Sequence, residues 1–203
     1  FIEGGALQIG QFSGANEAAQ LVNALTEATT TRDGGQGQTV QIPRGEFDVA
    51  TPFNIPNRAA LVGVNKRGSR IKAASGFVGS YMVTVDNGTS SMFDNRLAHL
   101  TLDCNNVASL GGIDSQAWQE GGGLEHVLVQ NFRTYGLRMR EMEGGAALCN
   151  ISDTEIFGST SGCTAGILLD DPSLSGAFQL NIRNTTIAGG DMPASMPRGI
   201  DVQ

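Results

Sequence analysis

A short aliphatic cadence returns four times at nearly fixed spacing, and this recurrence restricts the fold more than any other feature of the chain. Leu97 opens LAHLTLDCNN, Leu124 opens LEHVLVQNF, Ile151 opens ISDTEIFGS and Ile182 opens IRNTTIAGG, at intervals of 27, 27 and 31 residues. In each window the aliphatic residue is followed at the third position by Leu, Val or Thr and at the fifth by Leu, Val or Ile. A second marker falls between windows: Gly112-Ile113, Gly136-Leu137, Gly166-Ile167 and Gly199-Ile200. Two short strand signals per period, with insertions confined to the connections, predict a β-solenoid. The strands are too far apart for hairpins, and no helix-length segment separates them as βαβ units require. Val, Thr, Ile and Gly dominate the repeats, which argues against a helical array. The period and the missing L-x-L-x-x-N rhythm argue against leucine-rich repeats.

In such a coil each winding stacks on the last at ~4.8 Å, so equivalent residues form columns. The fifth-position column reads Leu102, Val129, Ile156 and Ile187 and is expected to point inward. The seventh-position column reads Cys104, Asn131, Gly158 and Gly189, small or amide residues that suit a bend. Upstream, TVQIPRGEFDV, FNIP, ALVGV, RIKA and MVTVD are short β runs between Gly, Pro and Asn turns. Together these imply about six coils and a stack about 30 Å tall. Ala15 to Thr29 differs: Ala18, Leu21, Val22, Leu25 and Ala28 fall on one helical face. Ser13 is placed as its cap and Gly34-Gly35 as its stop. A helix there would cover the apolar face and open edges of the first coil. The domain reading is therefore an N-terminal segment with a capping helix over residues 1–35 and a parallel β-helix over 36–203. The β-helix is read as incomplete at its C-terminal end, because GIDVQ falls within a strand.

Gly supplies 28 of 203 residues, lysine only Lys66 and Lys72, and the formal net charge is -7. Phosphate contacts need clustered Arg and Lys, so a nucleic-acid or anionic-membrane partner is not expected. No apolar run reaches the roughly 18 residues of a membrane helix, and no signal-peptide pattern is visible. The chain starts at Phe1 rather than Met and is read as processed or cut from something longer. Cys104, Cys149 and Cys163 are odd in number and lack C-x-x-C spacing, so they are read as buried thiols rather than disulfides or zinc ligands.

The stretch from the helix through TVQIPRGEFDV to FNIPNRAALVGVNKRGSRIKA resembles the N-terminal region of the pectate-lyase superfamily of parallel β-helices. A first coil of the form GG-TV-x-x-P-x-G-x-[YF] is matched by Gly34, Gly35, Thr39, Val40, Pro43, Gly45 and Phe47. The resemblance covers about Ala15 to Gln203. It implies an all-β fold, a right-handed single-stranded parallel β-helix with an N-terminal capping α-helix. Superfamily members include pectate lyases, polygalacturonases and phage tailspike or tail-fibre depolymerases. The polygalacturonase set is not present together: Asp170-Asp171 and Arg70-Ile71-Lys72 stand in reversed order, and N-T-D and G-H-G are missing. The pectate-lyase calcium constellation is absent as well.

Column geometry supplies the site candidates. The second-position column reads His99, His126, Asp153 and Asn184, with Glu125 beside His126. Carboxylates one level apart approach the ~5–5.5 Å of retaining glycosidases, and two levels apart the ~6.5–9.5 Å of inverting ones. Glu125, Asp153 and Glu155 are thus the candidate catalytic residues, with a solvated structural ladder as the alternative. Asp103, Asp114 and Asp201 follow inward aliphatics and are expected to face water. Trp118, Tyr135 and Phe132 are candidates for stacking on sugars. Trp118 lies in DSQAWQEGGG, read as a projecting loop, with packing back over the coil as its alternative. His99 and His126 join Trp118 and Tyr135 as candidate glycan-binding residues. No metal and no cofactor are expected.

Three functions follow. The first is a structural and glycan-binding β-helix of a virion attachment protein, tailspike- or tail-fibre-like, forming homotrimers or meeting other virion or filament subunits. The second is a polysaccharide lyase or glycoside hydrolase using the surface carboxylates. The third is an extracellular structural module. The expected partner is a polysaccharide or cell-surface glycan, with neither nucleic acid nor membrane insertion, at an extracellular or virion-associated location.

Overall fold

The computed structural model describes residues 6–28, 37–85, 93–116, 118–140, 147–160, 162–170, 178–189 and 198–202. Gly34, Gly35 and Asp171 lie outside the described residues. A short strand, β1 (Leu7–Gln8), and the helix α1 (Glu17–Glu27) precede six levels of three strands each. The first level is β2 (Thr39–Ile42), β3 (Gly45–Val49) and β4 (Phe53–Asn54); the second is β5 (Ala60–Gly63), β6 (Ser69–Ala73) and β7 (Tyr81–Val85). The third is β8 (Arg96–Ala98), β9 (Thr101–Asp103) and β10 (Gly111–Gln116); the fourth is β11 (Gly123–Glu125), β12 (Leu128–Phe132) and β13 (Tyr135–Arg140). The fifth is β14 (Ala147–Ser152), β15 (Glu155–Gly158) and β16 (Ala165–Asp170); the sixth is β17 (Phe178–Arg183), β18 (Thr186–Ala188) and β19 (Arg198–Val202). Equivalent strands form three sheets of seven, six and six strands, with β1 the extra member of the first. All pairings are parallel. The architecture is a parallel β-solenoid in which about five turns connect the levels.

The register follows the repeat. In the second sheet Phe47, Ile71, Leu102, Val129, Ile156 and Ile187 stand one above the next. In the first sheet the column is Val40, Leu61, Leu97, Leu124, Ile151 and Ile182. In the third it is Phe53, Val83, Ile113, Leu137, Ile167 and Ile200. These columns converge on one core. Each fully buried aliphatic contributes about 1.5–3 kcal/mol. The recurrent glycine has a steric reason. A Cβ on Gly112 would stand 2.5 Å from Val129 Cγ1, and one on Gly166 would stand 2.2 Å from Ile187 Cγ2. The glycine of one level therefore lies against the inward aliphatic of the next.

Both ends of the stack depart from this regularity. Helix α1 lies against β3 and β4, burying Leu21, Ala24 and Leu25, while Val22 turns outward. Its cap is Asn16 rather than Ser13: Asn16 Oδ1 accepts from the Ala19 amide at 2.9 Å. Asn16 directly precedes the first helical residue, whereas Ser13 stands too early and lends only its carbonyl to Asn23 Nδ2, at 2.6 Å. At the other end Ile200 is 46% exposed, although the same column is fully buried at Ile113, Leu137 and Ile167.

Asp103, Asp114 and Asp201 correct the expectation from strand alternation, because all three are buried. Asp103 does leave its strand on the outer side, but side chains of neighbouring levels close over it. Its carboxylate accepts from Asn131 Nδ2 at 2.8 Å, Gln130 Nε2 at 2.9 Å, the Asn105 amide at 2.8 Å and Arg70. Burial works to raise its pKa, yet the donors from Asn131, Arg70, Gln130 and Asn105 outweigh burial and hold the carboxyl below its usual value. None of the three cysteines forms a disulfide; Cys104 and Cys149 are buried, and Cys163 is only partly so. Burial pushes the Cys149 thiol up to about 12 and Cys104 higher still.

Candidate functional site

The second-position column forms the bend between the first and second sheets. His99, His126, Asp153 and Asn184 all adopt left-handed backbone angles, with φ of 55°, 52°, 52° and 46°. Asn, Asp and His tolerate that region better than other side chains, so the backbone itself selects these residue types. The bend amides continue the ladder: His99 donates to the Glu125 carbonyl at 3.0 Å, His126 to Ser152 at 3.1 Å and Asp153 to Arg183 at 3.1 Å. The imidazoles of His99 and His126 stack with ring centroids 5.1 Å apart. Burial, then the neighbouring His126 and Arg96, lower the His99 pKa, so its ring stays neutral at pH 7. One level further, Asp153 accepts from Asn184 Nδ2.

Of the candidate catalytic carboxylates, Asp153 belongs to this column and Glu125 and Glu155 flank it, and each is already engaged. Glu125 ends β11 and pairs with Arg96 of the level before. Glu155 opens β15 and is held by Lys66 at 2.8 Å and Arg67 at 3.1 Å, both from the turn after β5. Lys66 Nζ also donates to the Asp153 carbonyl at 3.0 Å. A turn of the second level thus reaches a carboxylate of the fifth. Glu125, Asp153 and Glu155 share one edge of the solenoid, but each closes on partners of its own.

Tyr135 and Trp118 are elsewhere. Trp118 is fully buried, and its indole N–H donates to the Asn95 carbonyl at 2.9 Å. The segment read as a projecting loop is strand as far as Gln116, and the tryptophan packs back over the coil, so no ring face is open for a sugar. Phe132 is fully buried too. Trp118→Phe is expected to keep most of the packing and remove one of the two hydrogen bonds to the Asn95 carbonyl, which keeps the Gly123 amide at 2.9 Å, costing about 0.5–1.5 kcal/mol in urea denaturation.

Tyr135 opens β13 on the outer face of the third sheet, where the structure assembles a polar cluster that the sequence reading missed. Arg138 Nε donates to Asp170 Oδ2 at 2.9 Å. Arg140 grips Asp114 with two nitrogens, Nε at 3.0 Å and Nη2 at 2.8 Å. Tyr81 lies beside Arg138, and burial pushes its phenol up to about 12, keeping it a neutral donor. Gly111 follows Tyr81 on the next level and makes room for it: a Cβ there would stand 2.5 Å from Tyr81 Cε1. A signal was available in the repeat. The residue after each Gly-aliphatic pair reads Asp114, Arg138, Leu168, Asp201, so opposite charges occupy one column on consecutive levels. Forked guanidinium and carboxylate groups beside aromatic rings offer paired donors and acceptors next to an apolar face.

The sequence model of the family described as rhamnogalacturonase A/epimerase, pectate lyase-like matches residues 14–202. The chain belongs to this pectate lyase-like family. Among solved structures, this pectate lyase-like chain is similar to ORF18 of Geobacillus virus E2, with a TM-score of 0.68 and 14% identity over 93% of its length. It is also similar to PfbA, a surface adhesin of Streptococcus pneumoniae, with a TM-score of 0.59 and 12% identity over 89% of its length. The catalytic unit of an α-1,3-glucanase from Streptomyces thermodiastaticus aligns with a TM-score of 0.50 and 12% identity over 94% of the chain. The pectate lyase-like chain spans 43%, 57% and 42% of the lengths of those three proteins. No curated protein matches it. Among the described residues no helix is long and apolar enough to cross a membrane.

Proposed function

We propose that this pectate lyase-like chain is the β-helical part of a virion attachment protein, of tailspike or tail-fibre type, that binds a surface polysaccharide. The observation that carries this reading is the outer face of the third sheet, where Tyr81 and Tyr135 stand among Asp114, Arg138, Arg140 and Asp170. Sugar hydroxyls take paired hydrogen bonds from guanidinium and carboxylate groups, and sugar C–H faces lie on aromatic rings. The fold likeness to a phage protein and to a surface adhesin supports the reading, as does family membership. Binding rather than cleavage is favoured by the engagement of Glu125 and Glu155 with cations, since a general acid must offer its oxygen to a leaving group. Side-by-side trimers at a virion or cell surface complete the reading.

Binding to an immobilised panel of bacterial surface polysaccharides tests it. Tyr135→Ala and Arg138→Ala are each expected to weaken capture of the bound glycan at least tenfold while the chain stays folded. No binding to any member of the panel, or binding unchanged by both variants, would discard it. A second reading, polysaccharide cleavage, is favoured by the enzyme family whose sequence pattern the chain matches. Release of reducing or unsaturated ends, abolished in Glu155→Gln, would replace the first reading with that one.

A further inference from the structure

We propose that His99, His126 and Glu125 together bind one divalent transition-metal ion of the zinc type. The chain contains only 2 histidines, and the fold sets both in the same bend column on consecutive levels, stacked ring on ring. The Glu125 carboxylate adjoins them, and one ligand atom from each of the three lies within 4.8 Å of the other two. Two imidazoles and one carboxylate, without a thiolate, suit zinc, cobalt, nickel or copper better than the oxygen-seeking calcium and magnesium.

A tetrahedral ion with bonds of about 2.1 Å needs ligand atoms about 3.4 Å apart. Side-chain rotations that move each ligand atom by roughly an ångström therefore close the site, while the bend backbone stays in place. His126 is exposed and has room for that movement. Asp153 occupies the next level of the column and adds negative charge nearby. Arg96 opposes the ion, because it pairs with the same Glu125 carboxylate. Metal and guanidinium compete for one ligand.

Titration of the full chain near neutral pH tests this, with zinc followed by calorimetry and cobalt by visible absorption. Saturation at one equivalent is expected, with a rise in melting temperature. His99→Asn and His126→Asn retain a side chain suited to the bend, as Asn184 shows in the same column. Each should match the parent's melting temperature without metal and bind zinc at least tenfold more weakly. Glu125→Gln should weaken binding, and Arg96→Ala should tighten it by releasing the carboxylate. The assignment is overturned by a failure to take up zinc or cobalt saturably, by equal binding in both histidine variants, or by weaker binding in Arg96→Ala.

Discussion

Gly136→Val is expected to leave no stable fold at temperatures where the parent chain is native, and Gly136→Ala to cost about 3 kcal/mol. A Cβ at this position would stand 2.4 Å from Ile156 Cγ2 and 2.8 Å from the Gly166 carbonyl oxygen. The first neighbour is a core side chain locked in its column, and the second is backbone of the next level. Neither can retreat without parting the levels, so the larger side chain must break ladder bonds rather than tilt a rotamer. Gly76→Ala is the control, because a Cβ there meets nothing within 4 Å. Thermal and urea denaturation of the three variants should separate them, with Gly76→Ala near the parent. A Gly136→Ala chain as stable as the parent would mean that the levels do not approach as closely as the register requires.

Asp103→Ala is expected to destabilise by about 1–3 kcal/mol at pH 7, since it takes the carboxylate acceptor from the partly buried amides of Gln130 and Asn131. Arg70 loses less, because it also pairs with Glu46 at 2.8 Å and stays partly solvated. The cost falls mainly on the amides of Gln130 and Asn131. The same carboxylate ties stability to pH. Its folded pKa lies below that of the unfolded chain, so its contribution is complete above the unfolded value of about 4 and is lost as pH falls through the folded value. Stability measured by urea denaturation should therefore hold from neutrality to about pH 4 and then decline. Asp103→Asn should flatten that acid decline relative to the parent, while other carboxylates supply the remainder.

The interior was legible in the sequence because a parallel stack imposes one rule on it. Residues such as Leu102, Val129 and Ile156 must be aliphatic at a fixed offset in every winding, and three sheets apply that rule three times. The exterior obeys no comparable rule. Alternation gives the direction in which Asp103 leaves its strand, but its burial depends on whether Arg70, Gln130 and Asn131 of adjoining levels fold over it. Trp118 failed as a sugar platform for a related reason. Its loop position was readable, yet the Asn95 carbonyl that fixes the indole comes from the previous winding. The bend column was found as a polar ladder, but its meaning was half hidden, because left-handed backbone selects Asn, Asp and His whether or not a ligand ever visits them. The face bearing Tyr81, Arg138 and Asp170 is illegible within any one window, because its ion pairs join charges of different levels.

One winding touches little beyond the windings above and below it, so the molecule's reach along its axis is set by a count and not by a shape. Duplicating or removing a whole period would lengthen or shorten the rod by about 4.8 Å and leave most neighbour relations intact, the bonds from Lys66 and Arg67 to Glu155 across three levels excepted. A surface of that kind is itself a lattice. A polymer laid along it would meet a new set of side chains at each step, and its grip would grow with the number of steps it spans.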